Sequence, residues 1–183
     1  TVPVLFLNTG KLFGETLRYR DSLQMRLGLT DVRTVGPHPD HIRQCDPQGT
    51  LFSADPDRCC AMRKVWPLQE ALKPFKAWMS GRKRYQGENR ASLPRIEQAD
   101  GMVKINPLAD WTAEDIAAYR EKHNLPEHPL VKDGFLSIGC MPCTDRVAPG
   151  EAQRSGRWRG LRKSECGIHN MGAAGKPPPI ERR

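Results

Sequence analysis

Four cysteines form two close pairs that lie far apart in the chain. Cys59 and Cys60 are adjacent, and Cys140 and Cys143 enclose a C-x-x-C turn. A C-x-x-C turn places two sulfurs on one metal ion or cluster because the two intervening residues let the chain curl around it. The four thiols therefore predict one metal centre that is assembled from two distant segments.

The adjacent pair bears on which metal is bound. On a helix with 3.6 residues per turn, neighbouring side chains diverge by roughly 100°, which suits a single tetrahedral zinc ion poorly. Each cysteine of an iron–sulfur cluster can instead have its own iron. The residues alone leave three interpretations open: a cluster, a zinc ion or buried structural cysteines. Arg58, Arg63 and Lys64 flank the pair, where they would offset the negative charge of a cluster or form an exposed basic helix face.

A fifth cysteine, Cys166, lies in the sequence Glu-Cys-Gly-Ile-His. The thiolate is the nucleophilic form of cysteine, and nearby cations stabilise it. Arg162, Lys163 and His169 are close in sequence, although Glu165 acts in the opposite direction. Cys166 is therefore a candidate nucleophile, and a spare thiol on a flexible tail is the alternative.

The composition indicates a single soluble domain with an anionic partner. The 183 residues carry a net charge of +8 with a mean hydropathy of −0.63, and basic residues cluster at 82–84 and 154–163. No segment approaches the roughly 20 apolar residues of a membrane span, and we find no secretory signal. Six cysteines are too few for a disulfide scaffold, so we expect a cytoplasmic protein with reduced thiols. A solubilising surface is the alternative role for the basic clusters.

The first 35 residues predict the element that positions this chemistry. Residues 2–8 are an apolar run typical of a strand covered on both faces of a parallel sheet. A helix over residues 15–27 and a strand over 32–35 would complete a right-handed βαβ unit. Ligands of such sheets bind beyond the carboxyl ends of the strands, here near Asn8–Gly10. Because the chain opens directly on this strand, we also expect that its natural N-terminal segment is missing.

The later elements place the cysteines. A helix over residues 57–64 carries the adjacent pair, and Pro67 interrupts or restarts it. A strand is predicted at 103–107, and Thr112 is the expected N-cap of the next helix. A loop over 126–137 leads into the C-x-x-C turn. We divide the chain into an α/β domain, 1–148, and a mobile Arg-rich C-terminal arm, 149–183.

Several segments together resemble the iron–sulfur branch of the APS/PAPS reductase family, the assimilatory adenylyl-sulfate reductases. The pair of CC and C-x-x-C motifs combined with ECGIH is the most specific part of this resemblance. The matching stretches run in family order: LNTG (7–10), DRCC (57–60), KVWPL (64–68), GRKRYQ (81–86), NPL (106–108), SIGCMPCT (137–144), RSGRW (154–158) and ECGIH (165–169).

The resemblance implies a Rossmann-like parallel sheet of the adenine-nucleotide α-hydrolase type. It also implies a [4Fe–4S] cluster on the four paired cysteines and reduction of adenosine 5′-phosphosulfate (APS) to sulfite and AMP, with thioredoxin as the electron donor. Cys166 becomes the nucleophile that carries a thiosulfonate intermediate. The substrate-binding residues that follow from the resemblance are Lys64, Arg84, Arg154, Arg157, Thr9, Gly10 and His169.

Some positions depart from the family pattern. Asn8 replaces the usual aspartate, Lys83 stands where arginine is common, and the Ser/Gly-rich nucleotide-binding segment expected before the first strand does not occur. Family members without the cluster cysteines prefer the 3′-phosphorylated substrate, so the cysteines favour APS and leave PAPS as the alternative. A zinc-stabilised nucleic-acid-binding module is the alternative of a different class, but basic and aromatic residues are not interleaved, so no nucleic acid is expected. Homo-oligomerisation is left open.

Overall fold

A parallel strand–helix–strand unit opens the fold. In the computed structural model, which describes residues 2–99 and 101–180, strands β1 (Val4–Leu7) and β2 (Val32–Val35) pair in parallel. Helix α1 (Gly14–Arg26) connects them. Each strand is a short run rich in β-branched and large apolar residues, which pack well on a pleated surface. The predicted βαβ unit is confirmed.

A second sheet contains three strands in the order β3-β5-β4. Strand β3 (Ala77–Met79) runs parallel to β5 (Met102–Ile105), whereas β4 (Ile96–Ala99) is antiparallel to β5. The strand predicted at 103–107 corresponds to β5, but β3 and β4 were not predicted. The α/β class is therefore confirmed, with the correction that this sheet is mixed because a short hairpin adds β4 at its edge.

An apolar groove separates the two sheets. Strands β1 and β3 border it, and its volume is about 680 Å³. Val4 is 42% exposed, so the prediction that residues 2–8 are covered on both faces is wrong. Among the described residues, β1 pairs with β2 on one side and faces the groove on the other, which leaves its apolar side chains partly open to solvent. We refer to this region as the apolar groove.

One long helical stretch crosses the centre of the molecule. It comprises α4 (Pro56–Cys60), a π-helical segment (Ala61–Val65) and α5 (Trp66–Leu72). Pro67 lacks a backbone N–H and would clash with the preceding turn of a regular α-helix. The wider π turn precedes it, and the chain stays helical through Pro67, which lies in the first turn of α5. Met62 and Val65 from the π segment are fully buried.

Three further helices complete the architecture: α2 (Pro39–Cys45), α3 (Leu51–Ala54) and α6 (Ala113–Lys122). The Thr112 side chain accepts a hydrogen bond from the Asp115 backbone N–H, and the Asp115 carboxylate accepts one from the Thr112 N–H. This reciprocal capping confirms the predicted start of α6. No helix within the described ranges is long and apolar enough to cross a lipid bilayer.

The C-terminal stretch packs against the domain. Trp158 and Met171 are almost completely buried, and Ile168 packs against the cluster formed by Val65, Leu68 and Leu72. The expectation of an arm outside the packed core is therefore wrong at these positions. A few apolar side chains anchor it, even though glycine, arginine and proline dominate the composition. The arm thus lies docked beside the central helix.

Candidate active site

The four paired cysteines converge on one small pocket. Cys59 and Cys60 lie at the end of α4, and Cys140 and Cys143 begin and end a short 3₁₀ turn. All four line the same cavity, together with Lys11, Phe52, Pro56, Arg63, Lys64 and Pro142. We call this region the thiol pocket. The convergence of two distant segments, which the spacing predicts, is confirmed.

The turn after β1 joins the two cysteine segments. The Met141 N–H donates to the Lys11 carbonyl over 2.8 Å, and the Thr9 hydroxyl lies 3.2 Å from the sulfur of Cys140. Gly10 adopts a φ of +70°, which glycine tolerates without strain. Thr9 is only 2% exposed. Thr9 and Gly10, which were candidates for substrate binding, therefore support the wall of the thiol pocket.

A buried ion pair fixes the other side of this turn. Arg63 donates one hydrogen bond to the Asp46 carboxylate over 2.6 Å and another to the Thr9 carbonyl over 2.8 Å. Burial raises the pKa of Asp46, but hydrogen bonds from Arg63 and the Leu51 N–H outweigh it and lower the pKa overall. Asp46 belongs to no recognisable motif, so no local pattern connects it with Arg63. The ion pair joins the central helix to the end of α2, and the hydrogen bond to Thr9 joins it to the turn that follows β1.

The electrostatics of the thiol pocket disfavour free thiolates. Burial raises the pKa of Cys59 to about 11, and the neighbouring Cys60 adds to the effect. Burial also raises the pKa values of Cys60 and Cys143. A bound metal would reverse this preference, because it binds the deprotonated form of cysteine.

Lys64 is the cation closest to these sulfurs. Its ammonium lies 3.7 Å from the sulfur of Cys60, and its side chain is buried. Burial would lower the pKa of Lys64, but negative charge on Cys140, Cys60 and Cys166 prevails and raises it. Lys64 is therefore a buried cation in the wall of the thiol pocket.

The donor set offers four thiols, which either a zinc ion or an iron–sulfur cluster could use. Within residues 2–99 and 101–180, no three or more Cys, His, Asp or Glu side chains are arranged to hold one metal ion. A tetrahedral zinc ion needs all its sulfurs within about 2.3 Å of one point. An iron–sulfur cluster takes four thiolates on separate irons. Four cysteines around one pocket, with cations beside them, are compatible with that wider group.

Trp158 links the arm to the thiol pocket. Its backbone N–H donates to the Cys143 carbonyl over 3.2 Å. Three cations surround its ring, with Lys64, Arg157 and Lys163 at 5.9, 4.3 and 5.5 Å from the centroid. Positive charge is attracted to the face of an indole ring. Two predicted substrate-binding cations, Lys64 and Arg157, therefore lie close to the same indole ring.

Arg157 also depends on a glycine for its position. A Cβ atom on Gly139 would lie 2.3 Å from the Arg157 guanidinium. Any larger residue at position 139 would displace that side chain. The residue immediately before the C-x-x-C turn is therefore small because the guanidinium passes directly beside the backbone.

The arm residues around Cys166 meet a second group of arginines. Glu165 forms ion pairs with Arg90 and Arg154. Arg84, which the sequence favoured as a substrate-binding residue, instead pairs with Asp110 and donates to the Leu93 carbonyl. Sequence reasoning did not single out Arg90, because nothing in its local sequence distinguishes it from the neighbouring arginines.

His169 anchors the end of the ECGIH segment. Its ring stacks on Trp78 at 5.4 Å with an interplanar angle of 4°, and its carbonyl accepts a hydrogen bond from Lys104 over 2.9 Å. Burial lowers the pKa of His169 to about 3, and the charges of Arg82 and Lys104 act in the same direction. His169 is therefore neutral at physiological pH, and its contacts hold the arm.

Comparison with known proteins identifies the family. The model of the phosphoadenosine phosphosulfate reductase domain matches residues 1–146. The chain belongs to this family. The adenosine 5′-phosphosulfate reductase of Chelativorans sp. strain BNC1 is 52% identical over 172 residues, which cover 94% of this chain and 70% of that protein. The corresponding reductase of Mesorhizobium japonicum is 51% identical, covering 94% and 68%.

Solved structures agree with this assignment. A phosphoadenylyl-sulfate reductase from Candida auris, solved as a phosphate complex, matches with a TM-score of 0.65 and 25% identity over 80% of this chain and 73% of that one. An FMN adenylyltransferase from Candida glabrata matches with a TM-score of 0.58 and 16% identity over 90% and 57% of the two chains. The second likeness concerns the fold alone. Together they confirm the predicted Rossmann-like class of nucleotide-binding fold.

Proposed function

We propose that this family member reduces adenosine 5′-phosphosulfate to sulfite and AMP in sulfate assimilation. The observation that supports the proposal is that Cys166 directly follows Glu165, whose carboxylate pairs with Arg90 and Arg154. The same segment lies against the central helix, because a Cβ atom on Gly167 would meet the Val65 side chain at 3.5 Å. The names of the 52% and 51% identical relatives support the same reaction.

The first chemical step is a transfer of the sulfonate group. The Cys166 thiolate attacks the sulfate sulfur of the substrate, the bond between that sulfur and the bridging oxygen breaks, and AMP leaves with the bonding electrons. The product on the enzyme is a thiosulfonate. Lys64, Arg154 and Arg157 offset the negative charge of the approaching groups, as preorganised cations do in other transfer reactions.

The second step needs a dithiol reductant, and we propose thioredoxin. One of its thiolates attacks the sulfur of Cys166, sulfite leaves, and a mixed disulfide forms. The second thiol of the reductant then resolves this disulfide, which regenerates Cys166 and leaves the reductant oxidised by two electrons. Cys166 is partly exposed, and the segment that carries it is attached mainly through side chains, so the arm can open to admit the partner.

We further propose that Cys59, Cys60, Cys140 and Cys143 hold a [4Fe–4S] cluster. When bound, the cluster would supply a compact negative charge beside the reacting groups. Lys64 lines this pocket, and we assign to it the orientation of the substrate anion. Arg63 and Thr9 keep the pocket walls in place. The two electrons of the reaction come from the thiols of the reductant.

The substrate could also be the 3′-phosphorylated nucleotide. The family description and the Candida auris structure both refer to that compound, whereas the 42–52% identical relatives in bacteria are named for APS. Comparing turnover of the two nucleotides under identical conditions separates the proposals. We expect APS to be the better substrate. We propose a cytoplasmic reaction, because a C-x-x-C metal site and a thiol nucleophile suit a reducing compartment.

Replacing the nucleophile tests the proposed function. The Cys166→Ser variant should release no sulfite from APS in the presence of reduced thioredoxin and should keep the iron content of the unmodified protein. Cys45→Ser is the matched control, because Cys45 is also partly exposed but lies outside the thiol pocket. Sulfite production by Cys166→Ser at the control rate would overturn the proposal.

A further inference from the structure

One row of side chains on the mixed sheet holds the segment that carries Cys166. The strand register pairs Lys104 of β5 with Trp78 of β3 on one side and with Glu97 of β4 on the other. Residues directly opposite one another in a sheet have their side chains on the same face. His169 lies against this row, because its ring stacks on Trp78 and its carbonyl accepts a hydrogen bond from the Lys104 ammonium over 2.9 Å. Two neighbouring positions of one row therefore contact the same residue of the arm.

Lys104 is an unexpected residue for the middle strand of this sheet. Its side chain is 1% exposed, and a buried ammonium is costly unless it is paired and hydrogen-bonded. Strand propensity alone favours a β-branched or aromatic residue at such a position. The reason for the charge must therefore lie in what the ammonium contacts.

Glu97 does not by itself account for this charge. Its carboxylate lies 3.6 Å from the Lys104 ammonium, but it also pairs with Arg82 and accepts a hydrogen bond from the Asn106 side chain over 3.1 Å. Burial raises the pKa of Glu97, and these partners outweigh it and lower the pKa overall. Glu97 would thus keep a cation and a hydrogen bond without Lys104. The closer contact of the ammonium is the one to the His169 carbonyl.

This hydrogen bond fixes the chain close to the candidate nucleophile. Only Gly167 and Ile168 separate Cys166 from His169, and Gly167 turns the chain with a φ of +83°. Ile168 packs against apolar side chains, and such contacts fix an orientation less well than a hydrogen bond from a charged donor does. The Nδ1 atom of His169 has no hydrogen-bond partner among the described residues. The bond from Lys104 is therefore the directional contact nearest to the Cys166 thiol on this side of the turn.

We propose that Lys104 is a positioning residue for the reaction. By holding the His169 carbonyl, its ammonium sets the place of the Cys166 sulfur relative to the bound substrate, and the Trp78 ring supports the same residue from the adjacent strand. Lys104 acts through the arm and does not contact the substrate, so it affects the rate of sulfonate transfer and leaves the binding of APS unchanged. This inference deepens the proposed function and rests on it for the identity of the nucleophile.

Lys104→Met tests this role, because methionine is unbranched, adaptable in a core and uncharged. The matched control is Gln69→Leu, which removes another hydrogen bond to the same segment, from the Gln69 side chain to the Met171 carbonyl over 3.3 Å. Urea unfolding shows whether each variant is folded. At equal metal content per chain, sulfite release is measured over a range of APS concentrations with reduced thioredoxin. Alkylation of Cys166 by iodoacetamide, without substrate, is followed by peptide mass spectrometry.

In Lys104→Met we expect kcat to fall on the order of tenfold to a hundredfold, because a small displacement of a reacting atom has an effect of that size. The KM for APS should stay unchanged. Alkylation of Cys166 should become several-fold faster, because a less restrained segment opens more often. Gln69→Leu should leave kcat and the alkylation rate close to those of the unmodified protein. A folded Lys104→Met protein overturns the proposal if its kcat or its alkylation rate is unchanged, if its loss lies entirely in KM, or if Gln69→Leu shows equal effects.

A second variant keeps the test decisive if Lys104→Met does not fold. Trp78→Leu removes the ring on which His169 stacks and leaves the ammonium in place, so it should lower kcat and speed the alkylation of Cys166. A folded Trp78→Leu protein with both rates unchanged contradicts the proposal. Failure of the proposed function has a different signature, namely sulfite release by Cys166→Ser, and it leaves the alkylation rate of Lys104→Met unaffected.

Discussion

The thiol pocket and the apolar groove lie along the same helical stretch but are built in opposite ways. Cys59, Cys60 and Lys64 from its first half line the thiol pocket, whereas Leu68 and Leu72 from its second half line the apolar groove. Side chains in the thiol pocket are held by directional hydrogen bonds and ion pairs. Side chains in the groove make non-directional apolar contacts, and several of them are open to solvent.

This difference predicts how strongly substitutions in the two regions lower the stability of the protein. A buried charge that loses its partner is costly because nothing else compensates for its lost hydration. An apolar side chain at an open groove loses only the area that it had buried. We therefore expect large, specific effects around the thiol pocket and effects graded by burial along the groove.

The largest effect is expected at the buried ion pair. Asp46→Ala leaves Arg63 charged and unpaired beneath the thiol pocket, which should lower the free energy of unfolding by about 3–5 kcal/mol. Glu70→Ala is the control, because the Glu70–Lys73 pair is exposed and should contribute less than about 1 kcal/mol. Urea unfolding measures both. Equal losses in the two variants would contradict the account of the ion pair.

A smaller loss of folding stability is expected at a well-buried residue in the wall of the apolar groove. Leu72 is 3% exposed, so Leu72→Ala should lower the free energy of unfolding by about 2–4 kcal/mol through lost burial and the cavity left behind. The iron content per folded chain should not change, since the side chain does not reach the thiol pocket. Loss of iron from folded Leu72→Ala protein would show that the two regions are coupled.

The pH dependence of stability should report on His169. Its pKa is about 3 in the folded protein against an ordinary value of 6.5, so below about pH 6.5 the unfolded chain binds a proton that the folded one does not. Stability should therefore fall with decreasing pH, by at most about 1.4 kcal/mol per pH unit. His169→Gln should show a shallower fall between pH 7 and pH 5 in urea unfolding. Identical slopes for the two proteins would argue against a buried neutral imidazole.

The smallest change in folding stability is expected at the rim of the apolar groove. Met79 lines the groove but is 55% exposed, so Met79→Ser should change the free energy of unfolding by less than about 0.5 kcal/mol. A loss as large as that of Leu72→Ala would mean that the rim is covered in solution. The same unfolding experiment therefore tells whether the groove is open.

Local patterns account for the features that the sequence predicted correctly. Apolar runs and turn residues reveal the βαβ unit, and the Thr112–Asp115 spacing reveals a helix start, because each depends on neighbours in the chain. The cysteine spacing likewise predicts one shared site. Each motif is short-range and can be recognised in one sequence, although the two cysteine motifs lie far apart in the chain.

Tertiary contacts account for what the sequence could not predict. Strand β4 exists because it pairs with β5, although Glu97 and Gln98 give it little apolar character. Arg84 and Arg90 are close in sequence and chemically identical, and only the fold decides that Arg90 meets the arm. Asp46 matters because it faces Arg63, and no local signal joins these two positions.

The proposal that Cys166 is the nucleophile is tested by identifying the sulfur that receives the sulfonate group. The purified protein is incubated with APS without reductant, and the modified residue is located by peptide mass spectrometry. The account predicts one added sulfonate group, on Cys166, which reduced thioredoxin removes with release of an equal amount of sulfite. A sulfonate on any other cysteine, or sulfite release on adding thioredoxin without prior modification of Cys166, would contradict it.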